Sequence, residues 1–357
     1  MVRYRYWGEH KMKRNKSEWN KKRKKSQIKK ARLLRKKNAT VSNKGYKNAR
    51  KKKRETIDGR YPRVEFTAPV IFSLTENTEE TISFLNAIIN EIKNKEYRKT
   101  IFIDSSKVEY VTIEALIYLI ALMDNTKINK AMQYTYVGNL PQNESARNVY
   151  KESGFMSYVQ SKMKMLPKPS NKMQIVQGLK NDPQVAKSFS MFVMEKLGKQ
   201  RQQIAPLQSI FIELMSNVYH HAYNEDGIME RHWYMYAEVM DKCVRFVFVD
   251  TGMGIARTVR KKITEKLAAA IGKNPKDGVL LESAFKGEFR TQTGDRYRGN
   301  GLLRVKEKMN DPLFIKFDVI SGRGRCTLKD RTTEEGVLVK SDYKSTIYGT
   351  VYTFDVA

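Results

Sequence analysis

The chain has little cysteine, little histidine and no long apolar run, and each scarcity excludes something. Two cysteines, Cys243 and Cys326, stand far apart. They offer neither a disulfide framework nor a metal-ligand spacing, and read as two unpaired thiols of a reducing compartment. Four histidines include one adjacent pair, His220 and His221. Neighbours on a helix point about 100° apart, so this pair cannot share a zinc ion as an i, i+4 pair would. The longest apolar run, "ALIYLIALM" from Ala115, is far too short to cross a bilayer. The opening "MVRYRYWGEHKMKRNK" lacks the apolar stretch of a secretory signal. A soluble, cytoplasmic protein without a transmembrane segment is expected.

Acidic residues are scarce in one region. Residues 1–55 hold 24 Lys+Arg against 3 Asp+Glu, which accounts for +21 of the net +30. The other 302 residues hold 44 against 35 and are only mildly basic. Residues 1–60 therefore read as a basic arm. Its helix formers surround too few apolar residues (Trp19, Ile28, Leu33, Leu34) to bury a face, which predicts an arm disordered, or helical only when bound. Lys21, Lys22, Arg23, Lys24, Lys25, Lys29, Lys30, Lys51, Lys52, Lys53 and Arg54 suit a phosphate backbone, with Trp7, Trp19, Tyr4 and Tyr6 available to stack on single-stranded bases. A solubility tail, or a patch for an acidic protein or anionic lipid, is the alternative.

"TIDGRYP" marks a boundary. Over 61–160, short strands such as "KTIFID" and "MQYTYVGNL" alternate with the helical runs "NTEETISFLNAIINEIKN" and "TIEALIYLIALMDN", which predicts a small α/β layer. Residues 161–182, with two prolines in "SKMKMLPKPSNKM", read as a linker. In 183–357, two helices precede strands "HWYMYAEVM", "CVRFVFVD", "FIKFDVIS" and "STIYGTVYTFDV". That order predicts an α+β sandwich with its helices on one face of the sheet.

Four local patterns occur in this second unit. "ELMSN" sets Glu213 and Asn217 one helical turn apart; "VDTGMGI" puts Asp250 at a strand end before Gly252 and Gly254. "RGNGLL" opens a helix with Gly299, Asn300, Gly301 and Leu302, and "YGT" places Gly349 and Thr350 in the last strand. Each has a use if the ligand is a nucleotide with a divalent ion. A carboxylate at a strand end can accept from an adenine amino group, with glycines letting the base approach. A Gly-rich helix N-terminus favours phosphates, and an Asn oxygen suits Mg²⁺. Glu213 is placed to receive a proton from a group attacking a γ-phosphate. Singly these patterns are common turns and helix starts; four in order are not coincidence.

With those residues on the page, 183–357 resembles the GHKL ATP-binding fold. "ELMSN", "DTGMG" and "RGNGL" match its N, G1 and G2 boxes, and "ELMSNVYHHAYNEDG" is similar to the anti-sigma-factor serine kinases. The resemblance implies ATP and Mg²⁺, with Glu213 as general base and Asn217 as the Mg²⁺ ligand. It implies that Asp250 reads adenine with Thr350 in support, Gly252 and Gly254 shape the pocket, and Gly299, Asn300 and Gly301 follow the phosphates. Residues 255–298 would form an ATP lid that closes through Arg290, Thr291 and Thr293, and His221 would be structural. Residues 64–160 resemble a STAS domain, on "KTIFIDSSKVEYV", "YTYVGNL" and "VYKESGF". Where phosphorylatable members carry Asp-Ser, this chain has Thr112 and Ile113, so the phosphoswitch is missing, and Ser105 and Ser106 read as a turn.

These readings predict an ATP·Mg²⁺-dependent switch, either a serine/threonine kinase or a slow ATPase, with a protein partner at the STAS-like layer or lid. The alternatives are an ATP-gated binding module without catalysis, or a nucleic-acid-associated regulator or defence component driven by the arm. Homodimerisation rests on family analogy.

Overall fold

Alternation along Val244–Asp250, VRFVFVD, sends Phe246 and Phe248 to one side of a sheet and Val247 and Val249 to the other, and all four are fully buried. A strand apolar on both faces needs cover on both, and that requirement organises the molecule. The computed structural model describes residues 62–93, 99–128, 135–159, 169–221, 232–261, 274–288, 301–330 and 339–357. The described residues from Arg63 onward belong to one compact unit. The arm lysines and arginines, Gly299, Asn300, Arg290, Thr291, Thr293 and the side chains of His220 and His221 lie outside the described residues.

In chain order the elements begin with β1 (Arg63–Thr67), β2 (Ile71–Phe72), α1 (Thr78–Lys93), β3 (Thr100–Asp104), β4 (Tyr110–Val111), α2 (Ile113–Ile128) and β5 (Thr135–Gly138). Then follow α3 (Glu144–Glu152), α4 (Phe155–Val159), β6 (Lys172–Gly178), α5 (Pro183–Leu197), α6 (Arg201–His221), β7 (Trp233–Val239) and β8 (Val244–Asp250). The last are α7 (Ile255–Arg260), α8 (Asp277–Lys286), α9 (Gly301–Lys308), β9 (Phe314–Asp330) and β10 (Val339–Val356). The architecture is mixed α/β. A parallel sheet has the order β1-β3-β5, β2 pairs with β4, and a five-stranded sheet runs β6-β7-β8-β10-β9.

One face of the large sheet packs on helices α5 and α6. Phe189 and Phe211 from these helices meet Phe246 and Phe354 from the strands, with ring centroids 5.2–6.3 Å apart. Helix α5 is fixed at both ends. Asp182 accepts from the backbone N–H of Gln184 and Val185, Pro183 occupies the first turn, and Gly198 closes the helix at φ 63°. Helix α6 begins at Arg201 and carries Pro206 inside it. So near the N-terminus, the missing N–H removes one hydrogen bond without ending the helix.

The opposite face carries Tyr234, Tyr236, Val247, Val249, Ile320, Ile347 and Val351, which share one core with the α/β layer. Helix α2 supplies the cover. Ala115 through Met123 are all buried, as expected of a helix that is apolar all round. The run too short to cross a bilayer is thus a central helix, and no described helix is long and apolar enough to cross a membrane.

Residues 161–182, read as a linker, need correction. Lys172–Gly178 is the edge strand β6, antiparallel to β7 with Gly178 opposite Trp233. Its residues are mostly half-buried, so "KMQIVQG" lacks the apolar alternation that would announce a strand. Strands β9 and β10 also run well past "FIKFDVIS" and "STIYGTVYTFDV", pairing as far as Thr327 with Val339.

Candidate functional site

Asp250 is the last residue of β8 and faces Thr350 across the ladder to β10. It is only 6% exposed. Its Oδ1 accepts from the Gly252 N–H at 2.9 Å, and Thr350 donates to it through both backbone and side chain. Burial pushes the carboxyl up to about 6 in spite of these donors, so desolvation outweighs the hydrogen bonds. A carboxylate kept at such a cost is a functional-site signature.

Glycine is required where the chain segments around Asp250 cross. Gly349 has φ 76°, and a Cβ there would stand 1.9 Å from the Asp250 carbonyl oxygen. Gly254 has φ 80°, and its Cβ would meet the Gly349 carbonyl at 2.6 Å and Ser321 Oγ at 2.7 Å. Ser321 ties the crossing together, donating to the Gly349 carbonyl (2.9 Å) and accepting from the Ile255 N–H (2.8 Å). In the sequence this serine is marked only by a hydroxyl that follows the apolar pair Val319 and Ile320, opposite Thr350.

A second cluster lies at the start of α9. A Cβ on Gly301 would stand 2.9 Å from Asn217 Oδ1 and 3.1 Å from Glu213 Oε2, so the helix start rests directly against both side chains of α6. Buried Leu214, Met215 and Val218 lie beside them on α6 and anchor its inner face in the core shared with β8. Asn217 Nδ2 is buried with no hydrogen-bond partner among the described residues. Glu213 accepts from Arg304 Nη1 at 3.1 Å, with 21% of its side chain exposed. Arg304 stands one turn along α9 from Gly301, and nothing local in the sequence marks it. "GLLRVKEK" reads as an amphipathic helix, and the pairing arises only when α9 docks on α6. Leu302 turns the other way and packs against the core.

The structure thus joins Asp250, Gly252, Gly254 and Thr350 in one group and Glu213, Asn217 and Gly301 in another, both built on the helix-covered sheet. Ser105 and Ser106 form a turn at the end of β3: the Ser106 N–H binds Asp104 Oδ1 (3.0 Å) and the Ser105 N–H binds Asn139 Oδ1 (2.6 Å). Thr112 directly precedes α2, its carbonyl accepting from the Leu116 N–H at 3.3 Å. A cavity of about 240 Å³ lies apart from both groups, within the α/β layer among Leu119, Met123, Tyr150 and Phe155. No protein-family model matches the chain, and no curated protein matches it.

Proposed function

We propose that the region from Lys172 to the C-terminus is an ATP·Mg²⁺-binding domain of GHKL type, similar to the anti-sigma-factor serine kinases. On this reading the preceding α/β layer is STAS-like. The observation that carries the proposal is Asn217, whose buried amide has an unspent polar atom beside a helix start that also touches Glu213. An unpartnered buried amide costs about 1–3 kcal/mol, and a ligand that uses it offsets that cost. Amide orientation follows from its hydrogen bonds, so Asn217 can turn its oxygen to a Mg²⁺ ion, which prefers oxygen ligands.

The other residues take complementary parts. Asp250, with Thr350 and the Gly252 N–H fixing its carboxylate, accepts from the adenine amino group. Gly254 and Gly349 keep the chain crossing beside it tight. The first turn of α9 at Gly301 presents N–H groups and the positive end of the helix dipole to the phosphates, with Gly299 and Asn300 preceding it. Glu213 takes the proton of a hydroxyl or water attacking the γ-phosphate.

The ion pair between Arg304 and Glu213 favours a second reading. A carboxylate engaged by a guanidinium is not free to act as a base, so in this arrangement ATP would bind and gate a partner without being cleaved. Single-turnover assays with γ-labelled ATP separate the two. Catalysis predicts phosphate release or a phosphoprotein, abolished in Glu213→Gln while ATP binding persists. No labelled product from the wild-type protein, with partner and nucleic acid supplied, leaves only the binding reading.

A further inference from the structure

Strand β10 breaks register twice before it reaches Thr350. Ile347 pairs with Gly322 and Thr350 with Ser321, so Tyr348 and Gly349 bulge out between two consecutive partners on β9. A bulge leaves backbone groups outside the ladder, and buried ones must bond elsewhere. Here the partner comes from the α/β layer. The hydroxyl of Tyr118, on α2, accepts from the Tyr348 N–H at 3.0 Å and donates to the Tyr348 carbonyl at 2.8 Å. Tyr118 is 1% exposed.

The same layer holds the residues leading into the bulge. Glu79, Ser83 and Asn86 lie on one face of α1. Glu79 accepts from the backbone N–H groups of Lys344 and Ser345, Ser83 Oγ lies 3.2 Å from Ser345 Oγ, and Asn86 donates to the Thr346 carbonyl at 2.9 Å. Ile347 is buried in the core shared with α1 and α2. Each residue from Lys344 to Tyr348 is therefore held by the layer, and the next two are Gly349, which crosses Asp250, and Thr350, which pairs with it.

We propose that Tyr118 is a positioning residue of the adenine end of the nucleotide site, and that the layer 63–159 is a structural part of that site. The proposal rests on the ATP-binding reading of Asp250 and Thr350. Tyr118 touches no nucleotide; it sets the bulge, and the bulge sets the spacing between Thr350 and Asp250. A partner that shifts α2 would change base recognition by the same route.

The test uses the full chain with Tyr118→Phe, which keeps the core volume and removes the hydroxyl. Ile117→Val, a fully buried neighbour on the same helix, controls for lost stability. Tyr118→Phe takes the hydroxyl partner from both the Tyr348 N–H and the Tyr348 carbonyl; it is expected to weaken ATP binding at least about tenfold and to narrow the discrimination between ATP and GTP. Ile117→Val should change neither. Amide hydrogen exchange without nucleotide should quicken across residues 344–352 in Tyr118→Phe alone. Unchanged exchange overturns the proposal whether or not the wild-type protein binds ATP. So does an ATP affinity equal to wild type, or a loss that Ile117→Val reproduces. If the wild-type protein binds no ATP, the proposed function fails, and the exchange result still decides whether Tyr118 sets the bulge.

Discussion

Replacing Asp250 with Asn should stabilise the nucleotide-free protein while weakening its ligand. Burial raises the Asp250 carboxyl from an ordinary value near 3.8 to about 6. A raised carboxyl makes the folded state hold its proton more tightly than the unfolded state does. The associated stabilisation is complete below about pH 4 and lost as the pH rises through about 6. Above that, the ionised carboxylate costs the fold about 3 kcal/mol, roughly two pK units at about 1.4 kcal/mol each. Asn carries no charge to desolvate, but it turns an N–H₂ toward the donors on Gly252 and Thr350, which returns about 1 kcal/mol of the gain. The net is about 1–2 kcal/mol at pH 8, or roughly 2–8 °C in Tm at about 2–4 °C per kcal/mol. At pH 5 wild-type Asp250 is largely protonated, and the difference should shrink toward zero or reverse. Calorimetry of both proteins across that range is the assay. A variant less stable than wild type at pH 8, or a difference that does not change with pH, would refute the argument that desolvation dominates at this carboxylate.

Other substitutions probe the remaining parts of the site. Asn217→Ala removes an amide whose Nδ2 has no described partner, so Tm should hold or rise while Mg²⁺-dependent ATP binding is lost; a fall of several degrees would show the amide to be structural. Gly349→Ala forces a Cβ to within 1.9 Å of the Asp250 carbonyl at positive φ. It should cost about 2–5 kcal/mol and abolish ATP binding, and a wild-type denaturation midpoint would contradict the chain crossing. Arg304→Ala removes the cation that pairs with Glu213 one turn from Gly301, where the proposed function puts the phosphates. It should weaken ATP binding about ten- to a hundredfold, the worth of one charge-assisted contact, and leave adenosine binding unchanged; equal losses for both ligands would remove Arg304 from the phosphate end.

The parts of this molecule legible in the sequence are those where local chemistry speaks for itself. Helix α5 shows its Asp182 cap, its Pro183 and its terminal Gly198, and strand β8 shows an unbroken apolar run ending in Asp250. The candidate residues on α6 follow from helical spacing alone, because Glu213 and Asn217 sit one turn apart whatever packs around them. What the sequence hides is set by tertiary contact. Strand β6 is an edge strand with half-buried polar residues, so its pairing with β7 leaves no periodic trace. The Arg304–Glu213 pair joins residues on α9 and α6 that meet only after docking. Tyr118 reads as one more apolar position in "ALIYLIALM", and its hydroxyl gains meaning only beside a bulge in β10, at the far end of the chain. Ser321 is similar: its role depends on the crossing of Gly254 and Gly349, which no local pattern announces.

The proposed function requires Asp250, Thr350, Asn217 and Gly301 together to bind ATP with Mg²⁺. Isothermal titration of the full chain with ATP, with Mg²⁺ and with chelator, tests it most directly. Binding should be saturable, one-to-one and dependent on Mg²⁺, at least about tenfold weaker in Asp250→Asn, and intact in Glu213→Gln. No measurable ATP binding by the wild-type protein, or binding that Asp250→Asn leaves unchanged, would contradict the proposed function.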